Sequence, residues 1–130
     1  MREEMGIFKA VSVCLTEKYF DFSGRATRKE YWSYWIVMVI ANAVIFAVFE
    51  FLDNMAPYPS SFTFYLGKLC QLALFAPSLS AGVRRLHDTG RSGWWICLSF
   101  IPVVGIIVLL VLLCLASEEK ENEYGPYVIN

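Results

Sequence analysis

The residues best equipped for chemistry lie in Gly82-Val-Arg-Arg-Leu-His-Asp-Thr-Gly-Arg-Ser-Gly-Trp-Trp95. His87 beside Asp88 offers a base and a carboxylate to orient it, the pairing used in general acid–base catalysis. Neighbouring positions on a regular helix point about 100° apart, so the two cooperate only in an irregular loop. The sequence places no serine or cysteine nucleophile beside them, and motif matches without geometry are weak. Asp88 is therefore expected to pair with an arginine, Arg25 or Arg28, and His87 to contact backbone or a lipid headgroup. Catalysis is not expected. Arg84, Arg85 and Arg91 surround the pair, with Gly90 suited to the left-handed end of one helix and Ser92 to the cap of the next. Cations beside a helix start suit a phosphate or carboxylate.

A second basic stretch, Phe20-Asp-Phe-Ser-Gly-Arg-Ala-Thr-Arg-Lys-Glu-Tyr-Trp32, has Thr27 and Glu30 at the spacing of a capping box, in which each side chain bonds the other's amide. Arg25, Arg28 and Lys29 beside it would meet anionic headgroups. Arg25, Arg28, Arg84, Arg85 and Arg91 are thus the candidate anion or headgroup contacts. Farther along, Glu50 and Lys68 fall within apolar runs, where an isolated charge is costly, and an ion pair between them is the natural expectation. The four cysteines, Cys14, Cys70, Cys97 and Cys114, have no C-x-x-C spacing and no metal-ligand pattern, so neither metal nor cofactor is expected.

The elements that must position these groups are membrane helices. With 57% hydrophobic and 18% charged residues and a mean hydropathy of +0.49, the chain is too apolar for a soluble domain. A net charge of -1 argues against nucleic-acid binding. Two acids in the first five residues and Lys9 soon after argue against a cleavable secretory signal. Residues 31–52, 61–83 and 94–116 are each long and apolar enough for a span of about 20 residues. The expected fold is an all-α integral membrane protein of one domain, 1–130. Its parts are a cytoplasmic segment 1–26 with an amphipathic interfacial helix, three transmembrane helices, and an acidic tail, 117–130.

Orientation follows from charge. Arg2, Lys9, Lys18, Arg25, Arg28 and Lys29 precede the first span, and Arg84, Arg85 and Arg91 separate the second from the third; the loop from Asp53 to Ser60 has none. Cytoplasmic loops hold the excess of Lys and Arg, which predicts the N-terminus inside and the C-terminus outside. Trp32, Trp35, Trp94 and Trp95 fall at the same inner interface. Pro102 and Gly105 offer the alternative, a third segment that turns back within the bilayer and returns the tail to the cytoplasm. In the N-terminal segment Ile7, Phe8, Val11, Cys14 and Leu15 recur at helical spacing, a stripe that either lies on the interface or packs against the spans.

Phe22-Ser-Gly-Arg-Ala-Thr-Arg-Lys-Glu-Tyr-Trp32, Arg84-Arg-Leu-His-Asp-Thr-Gly-Arg-Ser-Gly-Trp-Trp95, Ile101-Pro-Val-Val-Gly105 and Asn122-Glu-Tyr-Gly-Pro126 together resemble a bacterial inner-membrane family, domain of unknown function 805. The resemblance runs in order along nearly the whole chain. It implies a bacterial inner membrane and supplies no activity. Ser117-Glu-Glu-Lys-Glu121 departs from the family's Gly-rich approach to its last motif. The expected function is a non-enzymatic interaction or accessory protein, its basic cytoplasmic face engaging anionic phospholipid or a membrane partner. The alternatives are an oligomeric transporter or channel subunit around Asn42, Lys68 and Gln71, and an enzyme acting on a phosphate-bearing lipid.

Overall fold

The structure, a computed structural model, describes residues 6–58 and 61–127. Arg2 and the two acids of the first five residues, used in the reading above, lie outside the described residues, as do positions 59–60 of the loop and residues 128–130 of the tail. The described chain is helical, with no strand among its residues beyond a tight turn at Asn122 and Gly125. Helix α1 (Ile7–Ser12) runs into a π-helical turn, Val13–Glu17. Two long helices follow, α2 (Arg28–Met55) and α3 (Ser61–Asp88). A 3-10 helix, Gly93–Phe100, precedes α4 (Val104–Cys114).

Helices α2 and α3 have 28 residues each and are long and apolar enough to cross a membrane; α4 is a shorter apolar helix. They form an antiparallel pair whose core is Tyr31, Tyr34, Met38, Ala81 and Leu86, extended by Leu109 and Leu113 of α4. Pro77 sits inside α3 and donates no hydrogen bond, which frees the Ala73 carbonyl one turn earlier. The Tyr19 hydroxyl takes it up. Ser80 Oγ likewise donates to the Lys18 carbonyl at 3.0 Å. The N-terminal segment is thus held against the helix pair, with Ala10 and Cys14 buried, while Phe8 at 91% exposure and Ile7 at 54% face outward.

The third apolar segment departs from the continuous helix expected over 94–116. It breaks at Ile101, Pro102 and Val103 and doubles back. Val104 N–H donates to the Pro102 carbonyl at 2.8 Å around Val103, whose φ is 63° and ψ -73°. This is a γ-turn of the rare positive-φ kind, costing about 1–3 kcal/mol for a β-branched residue. Gly105 lets the two legs touch, since a Cβ there would stand 2.0 Å from the Leu98 carbonyl oxygen. Proline opens the turn by removing a donor, and glycine closes it by removing a side chain. Consequently the end of α4 returns to the end of α3: Arg85 Nε donates to the Leu113 carbonyl at 3.0 Å, and Glu118 N–H to the Asp88 carbonyl at 2.8 Å. The tail lies at the same end of the molecule as residues 84–92, so the expectation that it leaves from the opposite end is corrected.

Candidate functional site

The two basic motifs and the tail meet at this end and form one buried charge cluster. Thr27 starts α2, its hydroxyl accepting from Glu30 N–H at 3.2 Å. The Glu30 carboxylate does not complete a capping box. It turns inward and accepts from Arg84 Nη1 at 3.0 Å, because a buried guanidinium needs an anion more than the Thr27 amide does. Arg84 Nη2 reaches Cys14 Sγ at 3.3 Å, while Arg84 Nε is buried without a partner. Burial pushes the Cys14 thiol above its usual range, although Arg84 pulls the other way. The sulfur is therefore a protonated packing partner at neutral pH, without the thiolate a reactive cysteine needs.

Asp88 is the hub. One carboxylate oxygen accepts from Arg25 Nε at 3.0 Å, the other from Arg85 Nη1 and from the Ser117 hydroxyl. Arg25 spends its other nitrogens on the Asp88 carbonyl at 3.2 Å and on the tail, on the carbonyls of Glu118 at 2.6 Å, Lys120 at 2.8 Å and Gly125 at 3.3 Å. Arg85 spends its own on Leu113, Leu115 and Ala26. The last carbonyls of a helix have no partner within it and carry partial negative charge. Arginines 25 and 85 supply donors where α3 and α4 end, so three cations are held with only two carboxylates, Glu30 and Asp88.

At the end of α3, Gly90 adopts φ 72°, Gly90 N–H donates to His87 and Arg91 N–H to Leu86, both at 3.0 Å. These are the crossed bonds of a Schellman motif. Ser92 Oγ then accepts from Trp94 N–H at 3.4 Å and opens the 3-10 helix. His87 points away from Asp88: its Nδ1 lies 3.1 Å from the Gly24 carbonyl and its ring stacks on Tyr124, centroids 3.8 Å apart and planes within 1°. Asn122 Nδ2 closes this side by donating to the His87 carbonyl at 3.1 Å.

Of the five arginines read as anion contacts, three are sealed away: Arg84 and Arg85 are 0% and Arg25 3% exposed. They meet carboxylates and carbonyls of their own chain, so the headgroup role expected of them is corrected. Arg28 is exposed and Arg91 half-buried. The Glu50–Lys68 ion pair is also not formed. Lys68 Nζ donates to Gln71 Oε1 at 3.4 Å and lies 5.7 Å from the Phe64 ring centre. Residues three or four apart on one helix are nearer neighbours than a residue across the gap. Asn42 bonds back to the Met38 carbonyl at 2.9 Å, which takes it out of a polar path with Lys68 and Gln71.

Sequence reasoning missed Ser117, Asn122, Tyr124 and Cys14 as members of the cluster. Asn122 and Tyr124 had a signal, the Asn-x-Tyr-Gly-Pro pattern of the tail. Glu118 and Lys120 offer backbone carbonyls to Arg25, while Ser117 adds its hydroxyl to Asp88 and the Glu118 carboxylate accepts from Asn122 Nδ2 at 2.9 Å, so residues 117–120 dock through side chains as well as backbone.

A family model described as a protein of unknown function, DUF805, matches residues 19–126, from the first basic motif to the docked tail. This chain belongs to the DUF805 family. Relatives of this DUF805 chain include the inner membrane protein YhaI of Escherichia coli strain K12, 42% identical over 109 residues, covering 84% of this chain and 86% of the relative. The inner membrane protein YhaH of the same strain is 35% identical over 111 residues, 85% and 88% of the two chains. The uncharacterized protein YiiR is more distant, 24% identical over 131 residues, 82% of this chain and 84% of the relative. No solved structure matches this DUF805 chain. The residues matched by the family model include the five charged members of the buried cluster, Arg25, Glu30, Arg84, Arg85 and Asp88, while Cys14 precedes the match.

Proposed function

We propose that this protein is a non-enzymatic interaction or accessory protein of the bacterial inner membrane, with its cluster end in the cytoplasm. In this reading α2 and α3 span the bilayer and residues 93–114 form a re-entrant hairpin. A 28-residue helix is about 42 Å long, enough for a hydrocarbon core of about 30 Å and its interfaces. Each leg of the hairpin is only about 16 Å, half a crossing. Ile7, Phe8, Phe20 and Phe22, all exposed, would enter the inner interface, while Lys9, Arg28 and Arg91 would meet anionic phospholipid or a membrane partner.

The observation that carries this reading is the enclosure of the ion cluster. His87 and Asp88 are committed to Gly24, Tyr124, Arg25 and Arg85, as structural groups are, so the outward cations remain as the contact surface.

Two measurements test the proposal. A compartment-sensitive reporter fused after Asn130 is expected to be active only in its cytoplasmic form; activity only outside would restore three full spans. Spin-labelled phosphatidylglycerol is expected to associate with the wild type in preference to phosphatidylcholine, and the Lys9→Ala, Arg28→Ala, Arg91→Ala variant to lose most of that preference. An unchanged preference removes the lipid contact from the reading.

A further inference from the structure

At the end of the molecule opposite the ion cluster, α2 and α3 border a half-open cavity of about 90 Å³ beside the close contact of Gly67 with Phe49, lined by Glu50, Asp53, Lys68, Gln71, Phe46 and Phe64 among others. We infer that this cavity binds the phosphoethanolamine headgroup of a lipid, with the primary ammonium between Glu50 and Asp53 and the phosphate on Lys68. The inference rests on the membrane-spanning reading of α2 and α3.

Asp53 Oδ1 is shielded from solvent and has no hydrogen-bond partner. A shielded carboxylate oxygen is costly unless a donor meets it, and an ammonium supplies three. Glu50 stands one turn away on the same helix, so two carboxylates share this side of the cavity. Lys68 faces them from α3, engaged at 3.4 Å with a neutral amide oxygen and so still able to receive an anion. Two acids and one cation around one space match a ligand that carries its own cation and anion. A bare divalent ion fits less well, because Lys68 repels it and would be left without an anion of its own.

The level of the cavity selects a lipid. Asp53 lies in the last turn of α2 and Glu50 about one turn deeper, where a helix about 42 Å long passes through headgroups and glycerol. The rings of Phe46 and Phe64 on the walls would then flank acyl chains. A quaternary choline ammonium has no N–H to offer Asp53, so the site discriminates by hydrogen bonding as well as by charge.

The test is native mass spectrometry of the full chain presented with phosphatidylethanolamine, phosphatidylcholine and phosphatidylglycerol of matched chains. Phosphatidylethanolamine is expected to be retained about tenfold over phosphatidylcholine, and Asp53→Asn or Glu50→Gln to reduce that preference about tenfold, the size of one charged hydrogen bond. Stepwise N-methylation of the ethanolamine, tested on the wild type, is expected to weaken retention stepwise, and it needs no variant to fold. Equal retention of the lipids, a preference for phosphatidylglycerol at this site, or indifference to methylation overturns the inference. The Lys9, Arg28, Arg91 variant is expected to keep the ethanolamine preference, which separates this site from the lipid contact at the other face.

Discussion

Asp88→Ala is expected to destabilise the protein by about 3–5 kcal/mol, the cost of leaving a buried charge without its partner. The substitution strands Arg25 Nε and the Ser117 hydroxyl and leaves Arg85 Nη1 only its 3.4 Å bond to the Ala26 carbonyl, all within the enclosed cluster. Asp88→Asn keeps an acceptor while removing the charge, and should lie between alanine and wild type. Thermal unfolding in detergent, followed by tryptophan fluorescence, measures the loss, and limited proteolysis should show the tail released first. The alternative role, a headgroup site of exposed arginines, makes the opposite forecast: removing an acid would strengthen binding of anionic lipid at little cost in stability. A stable Asp88→Ala protein with raised phosphatidylglycerol binding would overturn the structural role.

Gly105→Ala is expected to be at least as severe, on the order of 4 kcal/mol or more, among the largest effects a single methyl can have. The added carbon would lie 2.0 Å from the Leu98 carbonyl oxygen and 2.6 Å from Ile101 Cβ, neither of which is the far end of a flexible side chain. The hairpin must open, carrying α4 away from α3 and withdrawing the Leu113 and Leu115 carbonyls from Arg85. Unfolding temperature and protease sensitivity between residues 100 and 117 should both change. Ile107→Ala is the control, since that side chain is 56% exposed and should cost little in detergent. A Gly105→Ala protein as stable as this control would show that the two legs do not touch as described.

The long helices were legible because apolarity is a local property: residues 31–52 and 61–83 announce themselves whatever they pack against. The hairpin was harder. Pro102 and Gly105 within an apolar run fit a bent helix and a reversal equally, and the deciding contact, Gly105 against Leu98, belongs to the folded chain. The cluster was half legible. Pairing of Asp88 with Arg25 could be anticipated from charge, and Asp88 does pair with Arg25. The enclosure could not, because positive charge predicts a side of the membrane without predicting exposure. The groups that enclose Arg25 come from residues 118, 120 and 125, and Arg84 finds its acid 54 positions away in Glu30. His87 and Asp88 show the same lesson at shortest range. Adjacent in sequence, they diverge by the helical step, one to Gly24 and Tyr124, the other to the arginines.

The way Arg25 grips the tail also sets what the tail can become over evolutionary time. Its contacts are carbonyls at three fixed intervals, so what must be inherited is a tape measure, the number of residues between the end of α4 and Gly125. Side chains at Glu119 and Glu121 can drift freely under that rule. A single deletion among them would shift every mark on the tape and undo more than several substitutions could.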